Sequence, residues 1–449
     1  MNRRQRWTCG AAVLTMGALV GAGCGSSSET TASTTTAGTV APGPSTTTGV
    51  PSTSTLPAQL PTRNDASQTI GVTSNTITIG QIATLSGPIP GLFQNAKDSL
   101  DAFVAYQNSI GGVDGKTLKV DFKDDALNCN TYTDDINALV PQVFAIVGTF
   151  SVLDACGQKA LTANPAFPDV QAYLFGPQLY STPNAITASP QPPGYPNTAA
   201  LWIKDKFPND ITHTGVLYSL TSKSSYNEIS AAFKSEGFRY VYSRGLSQTE
   251  TNFTSDILRM KADGVKIVDM STGSAQVDAD FVQQAAQQDF HPDAIISPTA
   301  YDASFFKLVG ADNADNVYMP LLYPMYLGQD NGTNAELKTY LTWLTKTHPG
   351  DTANIYGVDA WASGVLFVQA LQAAGSTPNR SALINQLNKI TSFSADGLLP
   401  ASNPAAKQGA TCIVVVGISG TKYVRLDPPT SGFECNGTYV HISQAQASA

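Results

Sequence analysis

Charge and histidine are both scarce in this chain. Asp, Glu, Lys and Arg together make 13% of 449 residues, and the four histidines, His213, His291, His348 and His441, stand singly. No pair of cysteines has Cys-x-x-Cys spacing and no His-Glu-x-x-His is present, so no locally encoded zinc centre is expected. Gly-x-Ser-x-Gly, Gly-x-Gly-x-x-Gly and the Gly-x-x-x-x-Gly-Lys-Ser/Thr loop are missing too. Their absence removes the sequence signs of a nucleophile elbow, a dinucleotide loop and a phosphate cradle. No catalytic residue, cofactor or metal is therefore expected, and the chain is read as a non-enzyme. The net charge of −8 is spread without clusters, which argues against nucleic acid or an anionic membrane surface as a partner. The longest apolar run near the start, residues 11–20, is too short and too Gly-rich for a comfortable transmembrane helix.

What is present is a globular composition, 42% hydrophobic, in a chain long enough for two packed domains. One stretch, residues 77–112, sets the pattern. Ile77, Ile79, Gln81 and Ala83 alternate with Thr78, Gly80, Ile82 and Thr84, the run breaks at Ser86-Gly87-Pro88, and apolar spacing then becomes helical at Ala96, Leu100 and Phe103. Strand, loop and helix repeat onward: strands are expected at 116–123, 144–148 and 172–176, with a helix over 136–143. Pro-rich 189–196 suits neither a helix interior nor a central strand and reads as a crossing. Beyond it the alternation resumes, with strands at 214–218, 239–244, 266–270, 294–297 and 317–321. Two long helices without intervening strands follow at 334–347 and 359–374, then a shorter helix at 381–387. A hairpin over 412–426 turns at Gly420. The expectation is an α/β protein of two doubly wound Rossmann-like lobes with a ligand cleft between them.

Residues 1–23 have the layout of a signal peptide: Arg3, Arg4 and Arg6, an apolar core, then small residues before Cys24. The segment resembles a bacterial lipoprotein signal in which Cys24 is lipidated, with Gly21 standing where leucine is usual. Residues 24–74 read as the lipidated cysteine followed by a disordered Ser/Thr/Pro/Gly linker. Cys129, Cys156, Cys412 and Cys435 lie beyond it. In an exported chain two well-separated pairs suggest disulfides, most simply Cys129–Cys156 and Cys412–Cys435, although four cysteines permit three pairings.

Asp124-Asp125 is the nearest approach to a carboxylate pair, but adjacent residues at a strand end point to opposite sides, and a turn is the better reading. Asp302 before an apolar run suits a helix N-cap. Tyr301, Tyr323, Tyr326 and Trp361 could line a pocket, and each singly is more often core.

Leu85-Ser86-Gly87, the segment AYQNSIGGVDGKTLKV at 105–120, KDDA at 123–126 and AIVGTFS at 145–151 together resemble the first lobe of the leucine/isoleucine/valine-binding family of type I periplasmic solute-binding proteins, the receptors of ABC importers. Residues 251–264 and 301–310 are similar to second-lobe segments of that family. The resemblance implies three crossings, with lobe 1 at 75–192 and 325–410 and lobe 2 at 193–324 and 411–449. It implies ligand contacts from Ser86, Phe93, Thr149, Phe150, Ser151, Gly176 and Gln178 on one side, and from Tyr226, Thr272, Ser274, Thr299 and Tyr301 on the other. Cys129 and Cys156 sit near a disulfide found in some members. The function it implies is an exported, membrane-anchored, monomeric lipoprotein that captures a small polar or carboxylate-bearing molecule and delivers it to an ABC permease. An envelope sensor with the same fold is the alternative. Amino-acid-binding members carry an acidic residue near the position of Thr299 to pair the ligand's ammonium. Its absence here disfavours an α-amino acid unless Asp302 turns inward.

Overall fold

The computed structural model describes residues 66–247, 249–310 and 314–449. The signal peptide, Cys24 and most of the expected linker lie outside these residues. The linker's last part, however, is folded. Residues 66–69 form a 3₁₀ turn, and the buried Gln68 accepts hydrogen bonds from the Ser381 N–H (2.9 Å) and hydroxyl (2.5 Å). Low hydrophobicity suggests a tether up to residue 74, but the buried Gln68, through its paired side-chain oxygen, docks the end of this segment on α11.

In chain order β1 (Thr76–Ala83), α1 (Gln94–Ser109), β2 (Thr117–Asp124), α2 (Cys129–Leu139), β3 (Ile146–Val147), α3 (Gln158–Ala163), β4 (Asp169–Gln171) and β5 (Ala185–Thr187) build the first lobe. Its sheet is parallel throughout, in the order β2-β1-β3-β4-β5. The chain continues through β6 (Gly194–Pro196), α4 (Thr198–Lys206), β7 (Thr214–Ser219), α5 (Lys223–Ser235), β8 (Tyr240–Leu246), α6 (Thr254–Ala262), β9 (Ile267–Ser271), α7 (Ala275–Gln287), β10 (Ala294–Ile296), α8 (Phe305–Val309) and β11 (Val317–Leu321). The order β8-β7-β9-β10-β11 repeats that of the first sheet, so the second lobe is the same doubly wound unit.

Helices α9 (Ala335–Thr347), α10 (Ile355–Ala374) and α11 (Arg380–Leu387) then return to the first lobe. The hairpin β12 (Val414–Ser419) and β13 (Lys422–Asp427) extends the second sheet antiparallel to β11, and β14 (Tyr439–His441) pairs with β6 before the short helix α12 (Gln444–Ala447). Both disulfides form as expected, Cys129–Cys156 and Cys412–Cys435.

Two local differences from the sequence expectation matter for the site. The apolar run at 172–176 is not a strand. The strand is β4, one turn earlier, where Asp169 and Gln171 are buried, and the run's Tyr173 and Phe175 leave the sheet for the space between the lobes. Helix α10 starts at Ile355 rather than 359, because the Asn354 side chain accepts the Gly357 N–H at 3.1 Å. That extra turn brings Tyr356 and Asp359 to the same space.

Helix α10 is apolar nearly all round, as a helix covered on most sides must be. Trp361 lies in its core, with its ring 5.3 Å from Phe103 and its indole N–H donated to Glu336 at 2.7 Å. Gly364 lets α1 approach, since a Cβ there would lie 2.4 Å from the Phe103 ring. Gly364→Ala is expected to lower stability by about 1–3 kcal/mol through overpacking. A denaturant titration with an unchanged midpoint would contradict this packing.

Candidate functional site

The loops at the carboxyl ends of parallel strands carry N–H and hydroxyl donors that the sheet does not use. In this protein buried aspartates take many of them. In the first lobe Asp125, fully buried, accepts from the Thr84 hydroxyl at 2.7 Å, from the Ser151 hydroxyl and from the Leu127 N–H at 2.9 Å. Asp124 accepts the N–H groups of Leu85 (2.9 Å), Ser86 (3.3 Å) and Ala126 (3.0 Å). Asp154 accepts those of Phe175 (2.6 Å) and Gly176 (2.8 Å). In the second lobe Asp278 on α7 accepts the hydroxyls of Thr272, Ser297 and Thr299, with Ser297 at 2.6 Å. Burial pushes Asp154 up to about 7 against the pull of the Phe175 and Gly176 N–H groups. It pushes Asp278 up to about 6 against the three hydroxyls. The aspartates fix the strand-end loops, and the loops form the walls of a cavity.

That cavity, about 400 Å³, lies between the two lobes. From the first lobe come Phe150, Tyr173, Phe175 and, from the first turns of α10, Tyr356 and Asp359. From the second come Asp269, Ser271, Thr299, Tyr301 and Asp302. The crossings add Gln191, Tyr195, Tyr323 and Tyr326. The aromatic wall is continuous: Phe150 is 5.0 Å from Tyr356 and 5.6 Å from Phe175 between ring centres, and Tyr173 is 4.5 Å from Phe175. No Lys, Arg or His stands among the described lining residues.

Three acidic side chains line the cavity. Asp269 is paired with the Ser271 hydroxyl (3.0 Å) and the Tyr240 hydroxyl (3.1 Å), and burial pushes it up to about 6. Asp302 accepts from the Ser304 N–H at 2.8 Å and the Ser304 hydroxyl at 2.5 Å in a turn, and it is not the helix N-cap expected from the sequence, because α8 starts at Phe305 with Ser304 at that position. Asp359, 1% exposed, accepts the Tyr323 hydroxyl on Oδ2 at 2.9 Å, and its Oδ1 has no hydrogen-bond partner. Burial raises it well above the usual carboxylate range, and the Tyr323 hydrogen bond only partly offsets that.

Of the site residues expected from the sequence, Phe150, Thr299 and Tyr301 line the cavity, and Phe93 stands behind Phe150 at 4.7 Å between ring centres. The others are placed elsewhere. The Ser151 and Thr272 hydroxyls are spent on Asp125 and Asp278, and Thr149 accepts the Ile82 N–H at 3.2 Å. Ser274 caps α7 by accepting the Val277 N–H, and the Gly176 N–H is held by Asp154. Ser86 is exposed in the first loop, Gln178 lies in the 3₁₀ turn at 177–181, and Tyr226 stacks on Tyr218 at 4.1 Å outside the cavity. Tyr323 and Tyr326, weighed as core, are both buried and at the cavity wall. Missed were Tyr173, Phe175, Tyr195, Tyr356, Asp269 and Asp359. Of these, Tyr356 and Asp359 share one helix face at i, i+3, which was the available signal.

One group of side chains among the described residues has metal-ligand spacing: Asp98, His348 and Asp351, with donor atoms within 4.8 Å of one another. Both Asp98 oxygens already accept from the Gln94 amide at 2.9 Å, and the Lys97 ammonium is 3.6 Å away, so a cation is supplied internally.

The family model of the periplasmic binding proteins matches residues 76–422. A comparison with curated proteins returned no match. Among solved structures, the branched-chain amino acid transporter substrate-binding protein LivJ of Streptococcus pneumoniae, in complex with isoleucine, is 17% identical with a TM-score of 0.63, covering 79% of this chain and 100% of its own. A fatty acid ABC transporter substrate-binding protein from Thermomonospora curvata is 17% identical, TM-score 0.65, covering 85% and 96%. An ABC transporter solute-binding protein from R. palustris, in complex with 4-hydroxybenzoate, is 18% identical, TM-score 0.63, covering 80% and 98%.

Two measurements check the role given to the aspartates. Ser151→Ala should lower stability by about 1–3 kcal/mol, the cost of an unsatisfied buried partner, while leaving ligand affinity within about twofold. A large loss of affinity would return Ser151 to the ligand. The second concerns pH. Asp154, Asp169, Asp269 and Asp278 hold their protons to about 6–7 when folded, chiefly through burial, whereas an unfolded chain releases them near 4. Between those values the native state binds more protons, so their contribution is full at low pH and is lost as pH rises through 6–7. The melting temperature is expected to be higher at pH 5 than at pH 8, and the opposite order would contradict it.

Proposed function

The chain belongs to the periplasmic binding protein family, and on that premise we propose that it is the solute-capturing receptor of an ABC importer. It holds a small molecule between its lobes and presents the closed form to a membrane permease. The proposed division is lobe 1 at 75–192 and 325–410 and lobe 2 at 193–324 and 411–449, with residues 1–23 as an export signal and Cys24 as the lipid attachment. No described helix is long and apolar enough to cross a membrane. The receptor works as a monomer, and its chemistry is non-covalent.

The observation that carries this reading is a cavity walled from both lobes and from the crossings at once. A ligand touching both lobes binds the closed arrangement more tightly than the open one, and this differential affinity shifts the population. The aromatic wall suits a solute with a flat or apolar body, and its polar groups would meet Thr299, Gln191 and the acidic side chains. Related structures that hold isoleucine or 4-hydroxybenzoate, and one named for fatty acids, support a fold that accepts varied small solutes with an apolar part.

Thermal-shift screening of the mature body against a small-metabolite library tests the proposal. A true ligand at 100 times its Kd is expected to stabilise by about 2.7 kcal/mol. Phe175→Ala, at a wall residue 37% exposed and so of small structural cost, should weaken that ligand about tenfold, or roughly 1.4 kcal/mol. Stabilisation by no metabolite would count against the receptor reading, and full binding by Phe175→Ala would place the site elsewhere.

A further inference from the structure

The polarity of the cavity is one-sided. Its described lining offers three aspartates and no Lys, Arg or His. A carboxylate ligand could still be held by backbone N–H and hydroxyl donors at the strand ends, as neutral donors hold anions elsewhere. Of the strand-end donors in the cavity lining, the Phe175 N–H goes to Asp154, the Ser271 hydroxyl to Asp269 and the Thr299 hydroxyl to Asp278. A hydroxyl that donates to a buried carboxylate keeps its lone pairs, so Thr299 at the wall offers the cavity an acceptor rather than a donor.

Asp359 supplies the second, independent observation. It lines the cavity, is 1% exposed, and leaves Oδ1 without any partner. A buried acceptor with no donor is costly, and a ligand that brings one removes the cost. The side chains of Phe150, Tyr173, Tyr195, Tyr323 and Tyr356 line the same cavity, and an aromatic ring attracts a cation that reaches its face.

We propose that the solute is a small organic amine, protonated and without a free carboxylate, on an apolar or aromatic body, and that Asp359 Oδ1 receives its ammonium. This rests on the receptor reading and narrows it. Amine specificity here comes from the α10 side of the cavity, beside the crossing residue Tyr323, whose hydroxyl orients the Asp359 carboxyl. An acid at the position of Thr299 is not needed. A free carboxylic acid meets no cationic side chain in the described lining and finds its strand-end donors engaged, and a zwitterionic amino acid carries the same penalty on its carboxylate.

The test compares head groups on fixed bodies, using the intact mature protein. Thermal shifts are measured with 2-phenylethylamine, 2-phenylethanol, phenylacetate and phenylalanine, and with the aliphatic pair isoamylamine and isovalerate. The amines are expected to raise the melting temperature, with the alcohol, the acids and phenylalanine at least tenfold weaker. Asp359→Asn should reduce amine binding at least tenfold, and its melting curve shows whether it is folded. The comparison on the unmutated protein stands whatever that variant does. Stabilisation by an acid or by phenylalanine at or above the level of its amine overturns the proposal, as does an alcohol equal to the amine. If none of these probes binds while the metabolite screen yields another ligand, the amine assignment fails and the receptor reading survives. If the screen also yields nothing, both fail.

Discussion

Parallel sheets end in loops whose donors must find partners, and the way this protein meets that demand governs much else in it. Asp125 gathers the loops after β1 and β3 around the end of β2, Asp154 holds the loop after β4, and Asp278 gathers the ends of β9 and β10. Each is a carboxyl group placed where hydroxyl or N–H donors converge, and each is buried. Removing a single partner would leave a buried polar atom unpaired, so such clusters resist change more than their modest net stabilisation suggests. The rigid loops that result give the cavity its shape, and the spent donors give it an acceptor-rich polarity.

The link between the lobes is polar as well. Tyr323, just past β11, donates to Asp359 on α10, so the second crossing is hydrogen-bonded directly to a first-lobe helix. The same crossing is pinned to the second sheet by the Asp330–Arg425 ion pair, in which Asp330 also accepts the Met325 N–H at 2.8 Å. Tyr301 completes the arrangement by accepting the Leu327 N–H at 3.1 Å and donating to Gln329 at 2.5 Å. Tyr323, Met325 and Tyr326 are also buried in the hydrophobic core, so this crossing is tied to both lobes by packing as well as by hydrogen bonds.

Much of the fold was legible because its signals are local. Alternation in β1, the Pro-rich crossing before α4 and the Gly420 turn of the β12–β13 hairpin, at φ +59°, depend on neighbours within a few residues. The site was less legible, and the reason is sequence distance. The Ser151 hydroxyl looks like a ligand donor until Asp125, 26 residues away, is seen to claim it. The apolar run at 172–176 scored as a strand because its aromatic side chains are apolar, although they serve the cavity rather than the sheet. Asp359 was invisible for a related reason: a lone acid on an apolar helix gives no hint of which wall it reaches.

The central claim is that one ligand bridges both lobes within the aromatic cavity. Its most direct test is a crystal structure of the mature body with whichever solute raises its melting temperature. The account predicts ligand density touching Phe150 and Tyr356 on one side and Thr299 on the other. Density seated on an outer face, with that cavity empty, would contradict it.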